Sequence, residues 1–143
     1  ENPARTFRES QDRIRSMALI HEKLYQSKDI SCIDFAEYVR SLTAYLSRSY
    51  VTGPGIEIAI DIRDVSLGID TAIPCGLIIN ELVSNALKYA FPDGRAGEIR
   101  VGLAGDGSNY TLTVSDNGVG LPPGLDFCGR SSRCIARTAR PLA

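Results

Sequence analysis

The chain reads as an α+β protein, a helical stem followed by a two-layer α/β sandwich with its helices on one sheet face. Three observations predict this. One apolar seam runs along residues 4–27 at heptad-like spacing. Three later runs, Ile56 to Ile62, Glu98 to Leu103 and Tyr110 to Asp116, alternate apolar and polar residues as half-buried strands do. Between the first and second of these runs lies a long helical stretch, about Asp70 to Ala90, with an apolar stripe. Helix, strands, helix and hairpin in that order bury their apolar faces by layering helices on a sheet.

The stem helix comes first. Phe7, Ile14, Met17, His21 and Leu24 fall on the seam, with Ala18 and Tyr25 beside it, while Arg5, Arg8, Asp12, Arg13, Arg15 and Lys23 point elsewhere. Such a seam needs a partner helix, which is either missing from this chain or supplied by a second copy. His21 is the only histidine; in an apolar seam a packed, hydrogen-bonded imidazole is the commoner role. Lys28 to Ile33 reads as a linker. Asp34-Phe35-Ala36-Glu37 then fits a capping box with Asp in place of Ser or Thr, and Ile33 with Tyr38 fits a hydrophobic staple. The next helix buries Phe35, Val39, Leu42 and Leu46 and stops before Gly53-Pro54-Gly55.

After the alternating strand Ile56 to Ile62, a short strand over about Val65 to Ile69 is expected. Asp70 is the expected N-cap of the long helix, with Pro74 tolerated in its first turn. Beyond Phe91-Pro92-Asp93-Gly94, one strand turns Ile99, Val101 and Leu103 inward. Gly105-Asp106-Gly107 leads into the last alternating run.

Two places on this frame carry chemistry. Glu81, Asn85 and Lys88 recur at i, i+4 and i+7 on the long helix, opposite Ile79, Leu82, Val83, Ala86 and Ala90. A carboxylate, an amide and an ammonium in line suit a metal ion and the phosphates around it. A solvated helix face is the plainer alternative. The last strand ends in Asp116-Asn117-Gly118-Val119-Gly120. Alternation puts Asp116 on the face of Tyr110, Leu112 and Val114, so its carboxylate is aimed at the apolar side of the sheet. Left unpartnered there it is costly, and a ligand with an amino group resolves the cost. Gly118 and Gly120 permit positive φ and close approach of a ligand to the backbone. Here the alternative is a simple Asn-Gly turn.

Glu81-x-x-x-Asn85-Ala86-x-Lys88-Tyr89 is similar to the N-box, and Asp116-x-Gly118-x-Gly120 to the first glycine box, of the nucleotide-binding domain of sensor histidine kinases in the GHKL ATPase superfamily. The run Arg13-Ile14-Arg15-Ser16-Met17-Ala18-Leu19-Ile20-His21-Glu22-Lys23-Leu24-Tyr25 resembles the dimerisation region of a bacterial and archaeal kinase subgroup related to the HWE kinases. The likeness covers roughly Arg8 to Phe127 and rests on the order and spacing of the boxes. It implies a sandwich of the histidine-kinase ATPase (Bergerat) type, C-terminally incomplete. The implied domains are a partial dimerisation helix over 1–30 and an incomplete ATP-binding catalytic domain over 31–127, and residues 128–143 depart from the family pattern and read as a non-family tail.

The same resemblance implies ATP and Mg²⁺ as ligands. Asp116 accepts a hydrogen bond from the adenine amino group, Asn85 coordinates Mg²⁺, Lys88 adds charge near the phosphates, and Tyr89 flanks the site. Gly118 and Gly120 open the lid. Glu81 stands where ATPases of the superfamily carry a catalytic carboxylate, and either orients an acceptor or water, or tunes the metal. A homodimer is implied, as are a response-regulator receiver domain as partner of the parent protein and a cytoplasmic location. The family's phosphoacceptor histidine lies on an earlier helix, so it is not in this chain, and His21 is not it. Kinase activity is expected of a longer parent protein, and at most weak nucleotide binding of this stretch.

Composition excludes other classes. A net charge of −1 over 143 residues leaves no basic footprint for nucleic acid. No apolar run approaches the roughly 20 residues of a membrane span, and no signal peptide is visible. Cys32, Cys75, Cys128 and Cys134 have no CxxC spacing and no partner histidines, so zinc is not expected and a reducing compartment is. The chain opens without an initiator Met, which reads as a piece of something longer. Cys128 to Ala143 holds four arginines, no acid and no lysine. It reads as an unrelated or out-of-frame tail; a basic amphipathic helix with Arg130, Arg133, Arg137 and Arg140 on one heptad face is the alternative. Two further function classes stay open. One is a GHKL-type ATPase or anti-sigma-type serine kinase, favoured by Glu81. The other is a non-catalytic dimerisation module, favoured by the tail.

Overall fold

A computed structural model of the chain describes residues 3–26, 33–50, 55–63, 65–105, 109–120 and 133–139. The linker from Lys28, the Gly53-Pro54 turn, the turn at Asp106-Gly107 and the lid sequence beyond Gly120 lie outside them. Helix α1 spans Pro3–Gln26, the short strand β1 Ile33–Asp34, and helix α2 Phe35–Ser49. Strands β2 (Ile56–Ile62) and β3 (Ser66–Leu67) precede helix α3, Ile69–Tyr89. A 3-10 turn at Pro92–Gly94 leads to β4 (Gly97–Gly105), β5 (Asn109–Asp116) and β6 (Arg133–Ala139).

The main sheet has the order β2-β4-β5-β6, with β2 parallel to β4 and the other pairs antiparallel. Parallel neighbours need a crossover, and here it carries β3 and α3, which lays α3 over the sheet. Register aligns the inward residues into one apolar layer: Ile60 beside Val101 beside Val114, and Ile62 beside Leu103 beside Leu112. Above it lie the buried faces of α3 (Ile79, Val83, Ala86) and α2 (Phe35, Val39, Leu42, Leu46). The strand and α2 residues expected to turn inward are therefore the ones in the core.

Local signals hold where they act alone. Asp34 caps α2 by accepting the Glu37 N–H at 3.0 Å, with Ile33 and Tyr38 both buried. Tyr38 packs under α3 at Gly76, where a Cβ would come within 2.9 Å of the Tyr38 ring. Its hydroxyl is buried without a hydrogen-bond partner among the described residues, and burial, with Cys75 nearby, pushes the phenol well above its ordinary range.

Four features differ from expectation. The N-cap of α3 is Gly68, not Asp70: Thr71 and Ala72 both donate to the Gly68 carbonyl, at 3.1 and 2.9 Å. Asp70 instead lies in the first turn, where its charge favours the helix dipole. Because the helix starts earlier, Pro74 falls inside it rather than in its first turn; Pro74 and Asp70 are both exposed, so the carbonyl that loses its donor stays near water. The strand expected over Val65 to Ile69 shrinks to β3, which pairs with β1 and not with the main sheet. Finally, Arg133–Ala139 is a strand and not a helix: β6 pairs with β5, Val114 opposite Cys134 and Leu112 opposite Ala136.

Helix α1 packs beside α2 and α3 through Leu19 and through Arg15, whose guanidinium lies 5.1 Å from the centre of the Tyr45 ring. Its seam faces outward, with Phe7 and Ile14 each 66% and Met17 44% exposed. His21 is exposed as well, on the same outward-facing seam. No helix among the described residues is long and apolar enough to cross a membrane.

Candidate functional site

Helix α3 and the end of β5 supply the site. Apolar Ile79, Val83 and Ala86 fix the rotation of α3 on the sheet, which leaves Glu81, Asn85 and Lys88 on the outer side. Asn85 is exposed, Glu81 and Lys88 are half-buried, and Tyr89 is 50% exposed at the last turn. Asn80 and Ser84 are buried instead, Ser84 donating back to the Glu81 carbonyl at 3.2 Å.

Long side chains from other elements reach this face, and the sequence carries no signal for them. The Glu81 carboxylate accepts from Arg13 Nε of α1 at 2.5 Å, in a pair whose side chains are 43% and 59% exposed. The Lys88 ammonium lies 5.0 Å from the centre of the Tyr50 ring, just past α2.

The glycine motif is built against the end of α3. Asp116, half-buried, accepts the Gly118 N–H on Oδ1 at 2.9 Å, so the carboxylate closes its own turn. The next amide, Val119 N–H, donates to the Ala90 carbonyl at 2.9 Å. Gly118 fits because it lacks a Cβ, which would stand 2.5 Å from the Ala90 Cβ. Its φ is not positive, whereas Gly120 has φ +77°. Gly118 thus serves a close approach of the protein to itself, and only Gly120 uses the left-handed region. The structure therefore brings Asp116, Gly118 and Gly120 to the end of α3 that bears Lys88 and Tyr89. One turn further in, Asn85 lies on the same helix. Glu81 stands apart, held by Arg13.

Behind the turn, Glu98 is the second residue of β4. Hydrogen bonding from Arg100 holds its carboxyl below the usual range and raises the Arg100 guanidinium. On this face of α3 the oxygen atoms that could hold a hard cation are the Asn85 amide oxygen and the Glu81 carboxylate, of the kind Mg²⁺ takes alongside water. Asn85 fits that role as it stands; Glu81 fits it once Arg13 moves away.

Known proteins match this chain in sequence and in fold. The family model described as "Histidine kinase" matches residues 1–50, and that described as "Histidine kinase-, DNA gyrase B-, and HSP90-like ATPase" matches residues 70–133. Blue-light-activated histidine kinase 2 of Erythrobacter litoralis is 30% identical over 112 residues, covering 73% of this chain and 32% of its own length. Sensor protein LytS of Bacillus subtilis is 33% identical over 95 residues, covering 64% of this chain and 15% of its own length. The chain thus spans about a third or less of either curated relative. The histidine kinase domain of the Erythrobacter litoralis EL346 blue-light activated kinase superposes with a TM-score of 0.72 at 21% identity, over 83% of this chain and 57% of that one. A further structure of the EL346 kinase gives 0.71 at 22% identity, over 81% and 40%. The fold is that of the histidine-kinase ATPase domains. The chain belongs to the sensor histidine kinases, in the subgroup related to the HWE kinases.

Proposed function

We propose that this chain is the ATP-binding part of a protein-histidine kinase in two-component signalling. The observation that carries the reading is the Asp116 carboxylate, half-buried at the end of β5, with Oδ1 engaged by Gly118 and Oδ2 left without a partner among the described residues. An acceptor held at a fixed angle on an apolar face suits the exocyclic amino group of adenine; guanine presents a carbonyl there and leaves the carboxylate unpaired. Lys88 adds positive charge near the phosphates, Tyr89 flanks the site, Gly118 and Gly120 let the backbone come close to the ligand, and Asn85 would hold Mg²⁺, which would neutralise phosphate charge. Glu81, once released by Arg13, orients the acceptor or completes the metal shell.

The step is a displacement: an imidazole nitrogen of the acceptor histidine attacks the γ-phosphorus, the bond to the β–γ bridging oxygen breaks, and ADP departs with the electron pair. Positioning and charge neutralisation are most of what such a transfer asks of a protein. The acceptor belongs to another helix, not to His21, and the product passes its phosphoryl group to a receiver domain. The exposed seam of Phe7, Ile14 and Met17 closes against a second copy, giving a cytoplasmic homodimer. The test is a backbone NMR titration with Mg·ATP. Shifts should cluster at Asn85 to Ala90 and Asp116 to Gly120; no shift, or shifts confined to the stem, refutes the reading.

A further inference from the structure

Asn117 is exposed, yet its side chain is not idle. Its Oδ1 accepts the Glu98 N–H at 2.8 Å, while its own N–H donates to the Glu98 carbonyl at 3.2 Å. These two bonds lie one residue beyond the last ladder pair, Ile99 with Asp116, where the chain is already turning into the glycine motif. Asn117 therefore extends the β4–β5 ladder by one rung, with an amide side chain standing in for a backbone carbonyl. Room for it comes from Gly97: a Cβ there would lie 2.7 Å from Asn117 Oδ1 and would also run into the Phe91 ring. The guanidinium of Arg95 approaches the Asn117 carbonyl at 3.5 Å.

We propose that Asn117 is the positioning residue that aims Asp116, and so sets the preference for adenine over guanine; this rests on the nucleotide reading above. The turn from Asp116 to Gly118 is tied on both sides, to Glu98 behind by Asn117 and to Ala90 ahead by Val119. With both ties in place and Oδ1 spent on the Gly118 N–H, Oδ2 points one way. A hydrogen bond weakens steeply as its angle opens, so a donor on the ligand profits only while that direction is held. Without the Asn117 acceptor, the Glu98 N–H turns to water and the carboxylate swings. An adenine amino group loses its partner. A guanine carbonyl, which has no hydrogen bond to this carboxylate, loses nothing.

The experiment compares the chain with Asn117→Ala and Asn117→Asp, by calorimetric titration with Mg·ATP and Mg·GTP. Asn117→Ala should weaken ATP by about tenfold and GTP by less than about twofold, so the ratio narrows. Asn117→Asp keeps an acceptor oxygen in place and should restore the ratio, since its added charge acts alike on the phosphates of both nucleotides. Amide hydrogen exchange at Glu98 and Gly118 should quicken in the alanine variant only. An unchanged ratio in Asn117→Ala, or equal losses for both nucleotides with a lower Tm, overturns the inference while leaving the nucleotide site standing. A wild type that does not bind ATP overturns both.

Discussion

Gly118→Ala tests how tightly the glycine motif is seated on α3. The new Cβ would stand 2.5 Å from the Ala90 Cβ and 2.8 Å from the Ala90 carbonyl carbon. Carbon atoms rest at about 3.5–4.0 Å, so the loop has to retreat by on the order of 1 Å. Two hydrogen bonds are anchored at that spot, Val119 N–H to the Ala90 carbonyl and Gly118 N–H to Asp116 Oδ1, each 2.9 Å long. Losing both outright costs about 1 kcal/mol for the neutral bond and about 2 for the charged one. Partial relaxation lowers the sum, so a destabilisation of about 1–3 kcal/mol is expected. Urea unfolding reads it as a lower midpoint at unchanged slope. ATP affinity should fall with it, because Asp116 loses the bond that orients it. A variant that unfolds at the wild-type midpoint and binds ATP equally well refutes the packing of this loop on Ala90.

Two further predictions use other parts of the molecule. Arg13→Gln removes an exposed ion pair that contributes less than about 1 kcal/mol, so stability should barely move. Mg²⁺-dependent ATP binding should nevertheless tighten, because a cation no longer competes for Glu81; an unchanged Mg²⁺ dependence counts against Glu81 as a metal ligand. Tyr38→Phe removes a buried hydroxyl that has no partner among the described residues, and should raise stability by about 1 kcal/mol. Because the folded phenol is raised above its unfolded value, its contribution is complete below about pH 10 and is lost as pH climbs above that. The variant should therefore show a shallower alkaline loss of stability in thermal melts; an identical pH profile sinks the argument.

Much of this fold is legible because it repeats at short range. Period two picks out Ile99, Val101, Leu103, Tyr110, Leu112 and Val114, and these are buried. The Asp34 cap and the Asp116 turn are also local, set within three residues. What the sequence hides is long-range. Strands β1 and β3 are two residues each, too short for any periodicity, and their pairing brings the chain into α3 at Gly68 ahead of the better capping residue Asp70. Strand β6 needs β5 as its template, so a basic stretch that spaces its arginines like a helix lies down as a strand. Arg13 on Glu81 and Lys88 on Tyr50 follow from how helices pack, not from any spacing along one helix. Gly76 and Gly97 look like ordinary glycines until Tyr38 and Asn117 are seen filling the space a Cβ would take.

The central claim is that Asp116 reads adenine, and it is tested most directly by titrating wild type and Asp116→Asn with ATP and GTP, with thermal melts alongside. The substitution is nearly isosteric and replaces a charged acceptor by a neutral one, so the fold should survive with its Tm close to wild type. ATP binding should weaken by about 1.5–3 kcal/mol, the scale of a hydrogen bond to a charged group, while GTP binding stays as weak as before. If Asp116→Asn binds ATP as tightly as wild type, or wild type binds ATP and GTP alike, the nucleotide does not lie at the end of β5.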